Sequence, residues 1–344
     1  WGVAMSSFSF SLEEFSRVFD ALGERYALSG PKRFPGKGRF TGTDLVKYAP
    51  LVSFDELELD EKSSMSPKSL VFPPDETTFY FNGDEFTEAP LEDERETVVF
   101  LRPCDINGFR RLDAIFLENG GTKDPYYLRR REKLHFFMIE CATSFENCFC
   151  VSMGSNVAGE YAVALRFGQD SVLVQVKEEL FASLFASGTP SEFTPEFVRE
   201  NARTVEVPDV DEMPPELFLH PLWDEYDARC IACGRCNTSC VTCTCFSTRD
   251  IFYADSRRSG ERRRVWDGCH LDGFTDMAGG HSFRKKKGER MRFKTFHKIY
   301  DFKKRFGYNM CVGCGRCDDV CPEYISFAEC INKVAAALKG GDAK

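Results

Sequence analysis

The chain has 344 residues, of which 42% are hydrophobic and 29% charged, with a net charge of −9 and a mean hydropathy of −0.34, the composition of a globular protein with room for two domains. No apolar run approaches the roughly 18 to 20 residues that span a bilayer, and WGVAMSSFSFSLEEF has no basic region ahead of an apolar stretch, so neither a membrane anchor nor a cleavable secretion signal is expected. Sixteen cysteines are many for an ordinary enzyme and sparse for a small disulfide scaffold, which leaves their spacing to decide, and it favours metal.

Ser11 and Glu14 form an S-x-x-E capping box, and Leu12, Phe15, Phe19 and Leu22 then recur at helical spacing, so a helix is predicted to start near Ser11. Strands are predicted at TTFYF (77–81), TVVFL (97–101), HFFMI (135–139), YAVALRF (161–167) and SVLVQV (171–176), with helices at NGFRRLDAIFL (107–117) and KEELFASLFAS (177–187). Such alternation predicts an α/β or α+β layered domain over residues 1–188. Pro190, Pro195, Pro208, Pro214, Pro215 and Pro221 interrupt helix and central strand alike, so 189–224 reads as a linker or surface strap. Beyond it the balance of charge changes sign. Residues 225–344 carry 23 Lys and Arg against 15 Asp and Glu, a net +8, leaving −17 on the rest, and they hold twelve of the cysteines.

Cys230, Cys233, Cys236 and Cys240 stand in CIACGRCNTSC, and Cys311, Cys314, Cys317 and Cys321 in CVGCGRCDDVCP. Both match C-x2-C-x2-C-x3-C, in which three close thiolates hold one [4Fe–4S] cube and the fourth reaches the other. Cys230, Cys233, Cys236 and Cys321 are therefore assigned to a first cluster, and Cys311, Cys314, Cys317 and Cys240 to a second. Gly234, Gly313 and Gly315 would let backbone amides approach the sulfides. A pair of zinc sites is the bland reading, but zinc ligands come as separated C-x2-C pairs, whereas three cysteines in seven residues suit a cube. Val241 stands where Pro322 follows the other motif. The 70 or so residues between the motifs include RRSGERRRVW and RKKKGERMRFKTFHK, both rich in helix formers, and SFAECINKVAAAL closes the chain. A mainly α-helical, ferredoxin-type dicluster domain over 225–344 is expected. Its basic runs suit a docking face or cations near reduced clusters better than nucleic acid.

Cys243, Cys245 and Cys269 are surplus to eight ligands and read as packing thiols or alternative ligands, and Cys330 as core. Cys104 follows one predicted strand, and Cys141, Cys148 and Cys150 follow another, so strands ending side by side would gather four thiols at one sheet edge. They are either a third cluster or buried thiols. GKGRFTG (36–42) lacks the spacing of a dinucleotide loop, His297 reads as a packing residue, and no catalytic acid, base or nucleophile stands out. An electron-transfer subunit with no catalytic site of its own is the result.

RPCDINGFRRLDAIFLENG, YYLRRREKLHFFMIECATSFENCFCVSMGSN and MSPKSLVFPPDE, with CTCFSTRDIFY, RRRVWDGC, FTDMAGGHSFR and FHKIYDF, resemble the 4Fe-4S dicluster iron–sulfur subunit of anaerobic, NADH-dependent sulfite reductases over residues 38 to 328. The beta subunit of sulfhydrogenases is similar more loosely. The resemblance implies a cytoplasmic complex in which a flavin and [2Fe–2S] subunit takes electrons from NADH, this chain relays them, and a sirohaem subunit reduces sulfite to sulfide. It implies the eight ferredoxin cysteines as ligands. For a sulfhydrogenase the partner would be a nickel–iron hydrogenase. Neither a nucleic acid nor a membrane is an expected partner.

Overall fold

The Ser11 side chain accepts the Glu14 amide at 3.3 Å while the Glu14 carboxylate accepts the Ser11 amide at 2.8 Å, satisfying two of the amides that a helix start leaves open. Helix α1 (Leu12–Arg25) follows, burying Phe15, Val18, Phe19 and Leu22. The computed structural model describes residues 6–340 apart from 92, 210, 212 and 255–257. In it α1 covers one face of an eight-stranded sheet.

The strands are β1 (Ser6–Ser11), β2 (Ala27–Phe34), β3 (Leu45–Pro50), β4 (Asp75–Asn82), β5 (Glu85–Glu88), β6 (Thr97–Leu101), β7 (Leu134–Ile139), β8 (Val163–Phe167), β9 (Ser171–Val176), β10 (Thr189–Pro190), β11 (Phe246–Phe252) and β12 (Ser259–Trp266). The large sheet has the order β10-β1-β9-β8-β7-β6-β2-β3, parallel from β8 to β2 and antiparallel outside. Val98, Phe100, Phe137 and Leu165 pack with α1. Their neighbours Val99, Leu101, Phe136 and Met138 pack on the other side with Ile106, Phe109 and Leu112 of α2 (Pro103–Asp113) and Tyr127 of α3 (Pro125–Arg131). The continuous apolar runs of β6 and β7 thus reflect burial on both faces.

The expected strands at 97–101, 135–139, 161–167 and 171–176 are β6 to β9. TTFYF lies instead in β4, part of a second sheet ordered β11-β12-β4-β5. Within RRSGERRRVW, expected to be helical, Ser259–Trp266 is β12. Its arginines find carboxylates across the ladder, Arg262 with Asp250, Arg263 with Asp75, and buried Arg264 with Glu76 and Asp124, so cross-strand pairing overrides helix propensity. Arg262, Arg263 and Arg264 of this run are thus engaged in ion pairs. KEELFASLFAS contributes only Glu179–Phe181 and Ala182–Phe185, because Phe181 and Phe185 are both fixed in the core beside Phe137. Pro31 hid β2 from view; pairing with β6 covers only 27–29, so the missing amide is no loss there.

The segment 189–224 is mostly irregular yet packed, with Phe193, Val198, Val205 and Met213 buried. It runs over the loop after β7, where the Val198 amide donates to the Cys141 carbonyl at 2.7 Å and the Val151 amide to the Asn201 side chain at 2.9 Å. Another core gathers Trp223, Tyr226, Met291, Phe296, Phe327 and Ile331 from the helices around the ferredoxin motifs. Among the described residues no helix is long and apolar enough to cross a membrane.

Val241, in place of a proline, is fully buried and docks on α2. A Cβ at Gly108 would meet its methyl groups at 2.5 and 2.6 Å. Gly108→Ala is therefore expected to destabilise the chain by about 1–3 kcal/mol, read as a lower urea midpoint; an unchanged midpoint contradicts this packing.

Candidate metal centres

The two cysteine motifs adopt one backbone. Ala232 and Gly313 have φ of 56° and 60°, and Gly234 and Gly315 both have φ of 70°. Each motif then enters a single helical turn, Arg235–Thr238 or Arg316–Asp319, and the two turns pack together. The left-handed residue aims its amide at the preceding sulfur: Ala232 N–H donates to Cys230 Sγ and Gly313 N–H to Cys311 Sγ, each at 3.4 Å. Ile325 N–H reaches Cys321 Sγ at 3.3 Å. Such donors favour the thiolate, the form that binds metal. The glycines have a second task that the motif did not reveal. A Cβ at Gly313 would lie 2.6 Å from the Phe149 backbone and one at Gly315 2.1 Å from the Asn147 carbonyl oxygen, so the loop carrying Cys148 and Cys150 presses directly on the second motif.

Cys230, Cys233, Cys236 and Cys321 line one cavity of about 480 Å³. Cys240, Cys311, Cys314 and Cys317 line another of about 330 Å³. Cys317 and Lys294 border both. The four N-terminal thiols, Cys104, Cys141, Cys148 and Cys150, line a third of about 400 Å³. Zinc would draw its thiolates to about 2.3 Å around one ion. Thiols spread around a cavity suit a larger polynuclear core.

Electrostatics gives a sharper test of fit. Lys68, Lys294 and Lys298 are 2 to 3% exposed, and among the described residues none has a carboxylate within ion-pair distance. Lys298 donates to Thr242 Oγ1 at 2.8 Å, Lys68 to the Asn237 and Cys243 carbonyls at 3.0 and 2.9 Å, and Lys294 lies over the Phe327 ring. Burial draws the Lys68 ammonium down to about 8. Isolated ammonium groups in a protein interior cost several kcal/mol each. An iron–sulfide cube with four thiolates is anionic and would supply countercharge to Lys294 and Lys298, which line the two cavities. Without iron, burial pushes the Cys311 thiol up to about 12 and Cys150 up to about 11, so loading would release protons. Removing iron should strand the lysines: faster amide exchange within 229–325, with β6 and β7 still protected, is expected on chelation, and unchanged exchange contradicts the electrostatic account.

Lys294 and Lys298 belong to RKKKGERMRFKTFHK, one of the basic runs expected to dock a partner or to place cations near the clusters; the helix Lys287–Phe296 and the turn after it carry them inward at i, i+4 spacing. Arg235 borders the first cavity and is exposed, while Arg316 is buried against Asp105. His270 Nδ1 sits 3.9 Å from Cys230 Sγ, and burial holds the ring neutral, down to about 3. Asn237 donates to the Cys243 and Cys269 sulfurs, at 3.7 and 3.3 Å. Cys245 lies near them, half-buried, and Cys330 is buried against Thr295 at 3.3 Å. His297 is half-buried and stacked on Phe293.

Comparison with known proteins agrees with this geometry. Residues 229–325 match the 4Fe-4S dicluster domain family. The chain is 29% identical to the sulfhydrogenase 2 subunit beta of Pyrococcus furiosus over 95% of its own length and 97% of that protein's. No solved structure matches. The chain is thus an iron–sulfur protein with a 4Fe-4S dicluster domain, joined to a mixed α/β domain and suited to electron transfer.

Proposed function

We propose that the chain is the electron-relay subunit of a sulfhydrogenase-type complex, with Cys230, Cys233, Cys236 and Cys321 holding one [4Fe–4S] cluster and Cys311, Cys314, Cys317 and Cys240 the other. The observation that carries this reading is that buried Lys294 and Lys298, with no carboxylate in ion-pair distance among the described residues, line the two thiol-bordered cavities. When bound, such clusters take up and pass on single electrons. The protein's own work is to grip them with thiolates, to exclude water, and to set their charge balance with Lys294 and Lys298. Residues 1–188 serve as scaffold, 189–224 as the strap and 225–344 as the relay. All sixteen cysteines are free of disulfides, which suits a reducing cytoplasm.

The relative belongs to a sulfhydrogenase, and this favours a hydrogenase partner over the flavin and sirohaem partners of a sulfite reductase. Affinity purification of the tagged chain from its own host under anaerobic conditions separates the two. Co-purifying nickel with hydrogen-dependent dye reduction is the expected result. Sirohaem absorption with NADH-dependent sulfite reduction would replace this partner by the other. Within the chain, Cys314→Ser should remove one of two cluster EPR signals, and retention of both refutes the ligand assignment.

A further inference from the structure

The four N-terminal thiols lie outside the dicluster motifs, and the fold brings them together. Strands β6 and β7 are parallel neighbours, so their carboxyl ends lie side by side. Cys104 occupies the first turn of α2 directly after β6, and Cys141 follows β7. Cys148 and Cys150 come from the loop that Gly313 and Gly315 admit against the second motif. We infer that Cys104, Cys141, Cys148 and Cys150 hold a third [4Fe–4S] cluster, a site that neither the family match nor the relative's name assigns. The inference extends the relay reading and rests on it for its place in a wire.

Size and charge support it together. The cavity, about 400 Å³, falls between the two ferredoxin cavities at about 330 and 480 Å³. Three cations border it. Lys62 Nζ is 3.8 Å from Cys148 Sγ and 2.6 Å from the Asp319 carboxylate. Arg102 lies over the Phe145 ring, donates to the Leu59 carbonyl at 2.5 Å, and among the described residues has no carboxylate within ion-pair distance. Arg316 is buried beside it, its charge matched by Asp105. An anionic core gives the unmatched Arg102 a partner.

The position also fixes an order. Cys148 Sγ lies 3.6 Å from the Cys314 carbonyl oxygen, which Lys62 Nζ also contacts at 2.9 Å. Phe149 N–H donates to the Gly313 carbonyl at 2.7 Å, and Ser155 Oγ to that of Val312 at 2.6 Å. The third centre adjoins the second cluster, which shares Cys317 and Lys294 with the first. The second centre therefore neighbours both of the others. Exposed Cys233 borders the first cavity, and Cys141 and Arg102 border the third and also an open basin at the carboxyl ends of β7 and β8.

Iron analysis of the full chain, purified anaerobically, tests this. About twelve irons per chain are expected, falling to about eight in a Cys104→Ser, Cys148→Ser double variant that keeps both ferredoxin-type EPR signals. About eight irons in the wild type, or a zinc ion lost on the double substitution, overturns the third centre and leaves the two-cluster relay standing. A chain that binds no iron overturns both. The wild-type count decides even where the variant does not fold.

Discussion

Replacing Lys294 with methionine lowers the midpoint potentials of both ferredoxin-type clusters. The side chain borders both cavities and has no carboxylate to share its charge among the described residues. At contact distance and an effective dielectric of about 20, one unit of charge is worth roughly 2–4 kcal/mol. For a one-electron couple this is a drop on the order of 100 mV. Reduction adds negative charge to a cluster, so removing a neighbouring cation disfavours it and the sign is fixed. EPR-monitored potentiometry reads the shift directly. A change in only one cluster would mean that Lys294 serves that cavity alone, and no change in either would remove it from the charge balance.

The largest loss of stability is expected at Asp105. Its carboxylate takes two hydrogen bonds from Arg316, at 2.5 and 2.8 Å, and one from Tyr48 at 3.0 Å, while Arg316 also donates to Ser63. Both side chains are sealed from water, at 0 and 2% exposure. Asp105→Ala leaves a buried guanidinium without its partner and should cost about 3–5 kcal/mol. The double variant Asp105→Leu, Arg316→Met should recover much of that, because replacing a buried pair with apolar groups is often near neutral. Denaturant unfolding of the holoprotein reads both. A loss under about 1 kcal/mol for Asp105→Ala, or a double variant no better than the single, would show that the pair is not the clamp between α2 and the second motif. Because Asp105 already matches Arg316, the unpaired lysines, more than Arg316 or exposed Arg235, are the cations left to act on the clusters.

What the sequence made legible follows from which signals are local. A capping box and runs such as TVVFL depend on neighbours in the chain, and α1 and β6 to β9 could be read from them. Cysteine spacing is equally local, so the eight candidate ferredoxin thiols could be picked out at once. Signals set by distant partners were lost. The RRSGERRRVW stretch becomes a strand because Asp75 and Glu76, nearly two hundred residues earlier, pair with its arginines. Which lysines of the basic runs face the thiols, Lys294 and Lys298, is set by the fold. Gly313 and Gly315 suggest room for sulfide, but their closest neighbours are the backbone of Asn147, Phe149 and Cys150. The convergence of Cys104 with Cys141, Cys148 and Cys150 was visible only as two strand ends, and parallel pairing of β6 with β7 makes it spatial.

Acid-labile sulfide per chain, measured on the full protein prepared without oxygen, tests the central claim most directly. The account predicts at least about eight sulfides, the content of two cubes. Protein that is free of sulfide and carries zinc at its cysteines would contradict it.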